Sequence, residues 1–489
     1  MAKITTIIDI GSNSMRMVVF QKSSRFAFHL INETKNRVKI SEGCYENDGN
    51  LQPLPMQRAF ESLKSFLKIS QALKSRKIIC VATSALRDAP NASVFLSKVK
   101  NELNLNIKVI EGTKEAFYGG MAAVNLLHQN EFLTVDIGGG STEFSFVKEG
   151  KIIDCISLKV GTVRLKELFF SKNDIEGAKR YILKELNSIT DLNNEIPKTV
   201  VGIGGTIRAL SKLIIQDSNY PLDVIHGFTY NYEKHKTLFQ KIIHVNSCDD
   251  LKDMGVKKER FDTIQEGTFI FDTILDALEI NRVITSGVGV REGVFLSDLL
   301  RSSNGRFPTN FNASVRSLLD RFELDSKQSA YFGNNAGKIF DVLKPLHNLE
   351  DKYRTLFVIA SKLHSIGSTL NFYKSNDNTF DFILNGLNYD FLHTSRVTVA
   401  HIIKFSKKTL PKYKDILAFE ELLPPLEDLQ WLSFMISLNL NLNQDFSRTH
   451  YAYTLEENVL SIQADEISYL IKSTTDKIEL PQNLELKIL

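Results

Sequence analysis

Two short stretches decide the fold: Asp9-Ile-Gly-Ser-Asn-Ser14 and Asp136-Ile-Gly-Gly-Gly-Ser-Thr-Glu143. Each lies between two apolar, β-branched runs, Ile4–Asp9 and Met15–Gln21 around the first, Phe132–Asp136 and Thr142–Val147 around the second. Apolar runs broken by a short glycine turn predict strand–turn–strand hairpins. The same hairpin occurs twice, each time opening a long block, so the pattern implies a duplicated domain with a cleft between the copies.

Working outward, further strands are expected at Lys77–Ala82, Ile107–Glu111, Thr199–Gly202 and Arg282–Ser286, with helices at Gln57–Leu73, Ala92–Leu103 and Ile175–Ile189. Alternation of this kind is α/β. Near residue 305 the texture changes: Ser302-Ser-Asn-Gly-Arg-Phe-Pro-Thr-Asn310 has linker composition, and helical periods follow at Asn335–Leu346, Leu356–Ile366 and Ser395–Phe405. Pro424–Pro425 is expected to separate these helices from a last segment with strand-like alternation at Tyr453–Ala464. The organisation read from the chain is lobe I over 1–128, lobe II over 129–305 and a helical region over 306–489, with a small subdomain after about 424.

The composition of the 489 residues, 43% apolar and 24% charged, is that of a globular protein, and a formal charge of +3 is too small to argue for nucleic acid. No apolar run reaches the roughly 18 residues that cross a bilayer. The opening Met-Ala-Lys-Ile-Thr-Thr leads straight into a strand, which leaves no room for a secretory signal. Cys44, Cys80, Cys155 and Cys248 have no paired spacing, so neither a disulfide framework nor a zinc site is expected, and a reducing cytoplasm fits.

In the first turn Gly11 lets an anion approach the backbone, while Ser12, Asn13 and Ser14 can donate to phosphate oxygens. Asp9, at the strand end, suits a metal ion or an attacking water; an ordinary hairpin turn uses the same residue types. The second turn is harder to read that way. Gly138, Gly139 and Gly140 weaken a strand end, and a row of amides for phosphate, extended by Ser141 and Thr142, accounts for them. Asp136 and Glu143 flank it with the hard oxygens that Mg2+ prefers.

A third cluster, Gly202-Ile-Gly-Gly-Thr206, lies between a strand and a helix, so that Gly204, Gly205 and Thr206 offer amides at a helix N-terminus, or simply make a tight turn. Its spacing is neither a dinucleotide fingerprint nor a Walker A loop. Thr83-Ser-Ala-Leu-Arg-Asp-Ala89 carries Arg87, whose planar guanidinium suits phosphate. Glu111-Gly-Thr-Lys-Glu-Ala116 follows a strand and offers Glu115 as general base, with a solvated surface glutamate as the alternative.

Together DIGSNS, TSALRDA, EGTKEA and DIGGGSTE, extended by GTVRL at Gly161, GIGGT at Gly202 and GVREGV at Gly289, resemble the exopolyphosphatase/guanosine pentaphosphatase (Ppx/GppA) family of the actin-like ATPase superfamily. The resemblance covers about residues 3–300. It implies two actin-like (ribonuclease H-like) lobes around a cleft, dependence on Mg2+ or another divalent cation, and release of terminal orthophosphate from inorganic polyphosphate or guanosine pentaphosphate. It places the catalytic glutamate at Glu115, the phosphate-contacting arginine at Arg87 and the metal-associated carboxylates at Asp136 and Glu143. Lys114 departs from the family, where the position is commonly acidic, and is expected to depress the pKa of Glu115.

The helical region is similar to the HD-type domain of long family members: Leu363-His-Ser-Ile-Gly367 matches one segment and Ala336–Asp341 another. Ser365 replaces the acidic residue and Gln328 the histidine, so no second metal centre is expected, and His364 becomes a core or interface residue. A substrate-tail channel or a homodimer surface is the expected use of this region. A kinase of the same superfamily, or a regulator that binds guanosine tetraphosphate, guanosine pentaphosphate or polyphosphate without turnover, are the competing readings; neither nucleic acid nor membrane is an expected partner.

Overall fold

The computed structural model describes residues 3–190, 195–322 and 325–489. They form two compact units, one ending at Phe311 and the other beginning at Asn312.

The first unit is built on two sheets of matching plan. β1 (Ile4–Ile10), β2 (Met15–Lys22) and β3 (Phe28–Asn36) make an antiparallel meander, and β4 (Lys77–Ala82) and β5 (Ile107–Val109) add in parallel beside β1, giving the order β3-β2-β1-β4-β5. In the second sheet β6 (Phe132–Ile137), β7 (Thr142–Lys148) and β8 (Lys151–Leu158) repeat the meander. β9 (Thr199–Ile203) and β11 (Arg282–Thr285) repeat the parallel pair, and β10 (Thr229–Asn231) lies antiparallel at the edge. Register matches too: Asp9 faces Arg16 across the first hairpin and Asp136 faces Glu143 across the second.

The strands are apolar because both faces of each sheet are covered. Ile8, Ile10, Met17 and Val19 enter one core with Leu63 and Phe66; Leu133, Val135, Phe144 and Phe146 enter the other with Ile207 and Ile270. The helices that follow the last parallel strands exchange partners. Helix Gly112–Leu126, after β5, lies on β7 and β8 of the other sheet, while Phe295 of helix Val290–Leu299 stacks on Phe20 at 4.4 Å and meets Phe28 at 4.9 Å. The two helices cross where Gly293 meets Tyr118; a Cβ on Gly293 would lie 1.9 Å from the Tyr118 carbonyl oxygen.

The second unit packs helices Ser326–His347, Asp351–Leu363, His393–Lys404 and Leu426–Asn441 together, beside a small sheet of β12 (Ala452–Glu456), β13 (Val459–Gln463) and β14 (Glu485–Ile488). Pro424–Pro425 does not end the helical region. Pro425 is the N-cap of Leu426–Asn441, whose Leu432, Phe434, Met435 and Ile436 are fully buried; proline opens a helix as readily as it stops one. Among the described residues no helix is long and apolar enough to cross a membrane.

Candidate active site

Each hairpin turn closes with the same bond, Gly11 N–H to the Ser14 carbonyl at 3.2 Å and Gly138 N–H to the Ser141 carbonyl at 2.9 Å. The first glycine amide of each turn is therefore consumed by the turn itself. What opens the second turn is a helix behind it. The amides of Thr162, Val163 and Arg164 donate to the Gly138 and Gly139 carbonyls at 2.8–3.1 Å, and Arg164 Nε donates to the Gly140 carbonyl at 2.9 Å. A carbonyl and the next N–H point in opposite directions across a planar peptide, so carbonyls tied back turn the amides of Gly139, Gly140 and Ser141 the other way. The fit is tight: a Cβ on Gly161 would lie 2.5 Å from Gly139 and Gly140 carbon atoms.

The turns face each other across a cavity of about 160 Å3. It collects Asp9, Gly11, Ser12, Asn13, Ser14, Glu115, Asp136, Gly138, Gly139, Ser141, Gly204, Gly205 and Thr206 on one wall system. Gly204 has φ +92° and sits so close to Asp136 that a Cβ would be 2.8 Å from Oδ1, so glycine is required there. Arg87, Gly140, Thr142 and Glu143 do not line this cavity. Thr142 is fully buried and donates its hydroxyl to the Val160 carbonyl at 2.6 Å, which removes it from any phosphate contact.

From the wall inward runs a buried charge cluster that begins with Glu115. Glu115, in the first turn of helix Gly112–Leu126, accepts from Arg87 Nη1 at 3.0 Å, and Arg87 Nη2 donates to Ser141 Oγ at 3.4 Å. Glu143, 2% exposed, accepts from Ser157 Oγ at 2.8 Å. Burial holds Glu115 well above the usual carboxylate range, and repulsion from Glu143 adds to this, while Arg87 opposes both. Burial lifts Glu143 to about 7. A carboxylate poised in this range can take a proton near neutral pH.

Lys114 does not depress Glu115. One residue along a helix turns the side chain by about 100°, and Lys114 lies over the rings of Phe117 (4.1 Å) and Tyr118 (5.0 Å) instead.

Asp9 and Asp136 line the cavity together, and buried Asp9 Oδ1 has no hydrogen-bond partner. Burial raises both, Asp136 to about 6. Two hard carboxylates, one with an orphaned oxygen, fit Mg2+, which is held by one or two carboxylates plus substrate phosphates. Glu143 sits a layer away, and the described residues contain no ready cluster of three metal-ligating side chains.

Four cavity arginines escape the motif reading: Arg16, Arg208, Arg260 and Arg291. They come from β2, the helix after β9, a short turn and the helix after β11. Arg291 lies in GVREGV, a segment the sequence marked without a role. Arg208 follows GIGGT and donates to the Ser286 and Val288 carbonyls at 2.9 and 3.4 Å. Burial and repulsion from Arg291 and Arg16 lower Arg208 to about 10, so it stays charged at neutral pH. Arg16 and Arg291 share the Glu33 carboxylate, at 3.5 and 2.8 Å, and four cations crowded at one cavity still favour an anion there.

In the second unit His364 binds the Ser361 carbonyl at 2.8 Å and packs on Phe332, and burial lowers it to about 4. Asp341 is bound by Arg354 through two bonds of 2.7 Å.

The chain is similar to several known proteins. A guanosine-5'-triphosphate,3'-diphosphate pyrophosphatase of Vibrio campbellii is 30% identical over 386 residues, 76% of this chain and 74% of its own length. The crystal structure of the Aquifex aeolicus member of the Ppx/GppA family is 31% identical, covers 62% of this chain and 99% of its own, and superposes with a TM-score of 0.53. An exopolyphosphatase structure from Cytophaga hutchinsonii, at 23% identity and a TM-score of 0.56, shares the fold. The model of the Ppx/GppA phosphatase family matches residues 18–302, a span that takes in Arg87, Glu115 and the whole second turn. On these grounds the chain belongs to the Ppx/GppA phosphatase family, with its actin-like fold.

Proposed function

We propose that the chain hydrolyses the terminal phosphoanhydride of guanosine pentaphosphate, with inorganic polyphosphate as a second substrate ending in the same bond. The observation that carries this is Glu115, a buried carboxylate with an elevated pKa at the wall of a cavity rimmed by two glycine turns and four arginines. The substrate named by the Vibrio relatives supports the nucleotide.

The terminal phosphoryl group lies against the amides of Gly139 and Ser141 and the hydroxyl groups of the first turn. Arg16, Arg208 and Arg291 balance its charge and that of the phosphates behind it. Glu115, in its ionised form, orients a water and accepts its proton as the water oxygen bonds to the terminal phosphorus. The bridging P–O bond breaks, its electron pair stays on the shortened chain, and orthophosphate is released. Arg87 fixes the Glu115 carboxylate and, against the effect of burial, favours its ionised form. Asp9 and Asp136 would hold a divalent cation, which supplies charge neutralisation on phosphate oxygens when bound.

The C-terminal unit, on this reading, is an HD-like domain without its metal: Gln328 and Ser365 stand at ligand positions, and Asp341 is engaged by Arg354. It serves as a channel for a substrate tail or as a homodimer surface, and the protein works in the cytoplasm. Orthophosphate release from guanosine pentaphosphate, polyphosphate, guanosine tetraphosphate and ATP, measured with Mg2+ both without and with an added acceptor, tests the function. Release from the first two supports it; transfer only to an added acceptor, or binding without release, refutes it.

A further inference from the structure

Behind the second glycine turn lies another cavity, of about 610 Å3, that shares Ser84 with the catalytic one. A thin septum divides them. Ser12 Oγ meets Ser84 Oγ at 3.1 Å, and a Cβ on Gly140 would fall 2.8 Å from Ser84 Oγ and 2.6 Å from the Tyr45 hydroxyl. Two serine hydroxyls and a bare glycine thus separate the spaces, with the Tyr45 hydroxyl directly behind.

The second cavity brings three cations and two carboxylates together. Arg87, Arg164 and Lys159 line it, against Asp48 and Asp88. Arg164 stacks on the Tyr45 ring at 4.6 Å and pairs with Asp88 at 3.0 Å, and Arg87 is paired with Glu115. A cation already paired with a carboxylate attracts a phosphate less strongly than an unpaired one. Lys159 and Asp48 are exposed, so this cavity opens to solvent. The loop carrying Tyr45 is fastened to the other lobe, because the Glu167 carboxylate accepts from the amides of Gly43 and Tyr45 at 3.2 Å.

The catalytic cavity has a difficulty that this arrangement answers. Terminal hydrolysis leaves orthophosphate between the two turns and the rest of a long polyanion held by the cavity arginines. We infer that orthophosphate leaves through the Ser12–Ser84–Gly140 septum into the second cavity, while the shortened chain keeps its place. Rotation of the two serine side chains, which breaks one neutral hydrogen bond, together with a shift of the Tyr45 hydroxyl behind them opens the way. The inference rests on the proposed terminal hydrolysis.

Two variants outside the catalytic cavity test it, Lys159→Glu, which reverses a charge at the mouth, and Leu168→Trp, which obstructs the passage. Cleavage of the terminal phosphate in a single turnover is followed by rapid quench, and free orthophosphate by a fluorescent phosphate sensor. Both variants are expected to cleave at the wild-type rate and to release free phosphate about tenfold more slowly. Phosphate release that keeps pace with cleavage in both variants overturns the exit. So does a raised KM with unchanged release, which makes the second cavity a subsite for the chain, or an equal fall in cleavage and release. Absence of cleavage by the wild type refutes the terminal hydrolysis itself.

Discussion

Replacing Gly293 by alanine tests whether the crossing of two helices places Glu115, the proposed catalytic carboxylate. The added Cβ would lie 1.9 Å from the Tyr118 carbonyl oxygen and 2.5 Å from its carbon, where ordinary contact begins near 3.4 Å. Both partners are backbone, so no rotamer relieves the clash, and the helices must separate by more than an ångström. Overpacking of this kind costs about 1–3 kcal/mol, and a clash with backbone belongs at the upper end. Alanine returns at most about 1 kcal/mol through its helix preference over glycine, which leaves a net loss of about 2 kcal/mol. The displaced helix Gly112–Leu126 carries Glu115 in its first turn, and a misplacement of about 1 Å is enough to cost roughly 100-fold in rate. Urea unfolding followed by circular dichroism reads the stability, and initial rates of orthophosphate release read the chemistry. A variant with an unchanged midpoint and a rate within about twofold of wild type would refute the reasoning, since the carboxylate would then owe nothing to that contact.

The other predictions concern charge. Arg87→Ala removes the cation that lowers the Glu115 pKa, so the acidic limb of the kcat profile moves to higher pH; an unmoved limb with reduced kcat would assign Arg87 to substrate instead. Glu266 is 4% exposed, its Oε2 has no partner, and burial raises it to about 7. Its folded pKa exceeds its unfolded value, so the native state binds the extra proton and stability falls as pH rises from about 4.5 to about 7. Glu266→Gln is therefore expected to stabilise by roughly 1–3 kcal/mol at pH 8 and by less at pH 5, as denaturant midpoints at the two pH values will show. Mg2+ should raise the melting temperature, by about 2.7 kcal/mol of stability at 100 times its Kd, and Asp9→Asn and Asp136→Asn should each abolish the rise; a full rise in both variants removes these carboxylates from the cation site.

Much of the fold was legible because glycine turns between β-branched runs admit few readings, and the two hairpins repeat one another. β3 (FHLINETKN) was missed, since an edge strand with polar outward residues has no clear alternation. Lys114 was placed against Glu115 because neighbours in sequence seem neighbours in charge, whereas a helix points them to different faces. Thr142 was read as part of the phosphate turn, but it begins β7 and bonds inward. The four arginines were illegible for a different reason: Arg16, Arg208, Arg260 and Arg291 converge only when both lobes fold, and no local motif announces a cluster drawn from four distant segments. GTVRL had a role no spacing rule supplies, that of tying back the carbonyls of the second turn.

The most direct measurement compares wild type with Glu115→Gln on guanosine pentaphosphate and polyphosphate, scoring substrate affinity and single-turnover orthophosphate release on the same preparations. Glutamine keeps the size and the bond from Arg87 but cannot accept a proton, so affinity should stay within a few-fold while release falls by roughly 10²–10⁴. Full release by Glu115→Gln, or no release of terminal phosphate by the wild type from either substrate, would contradict the account.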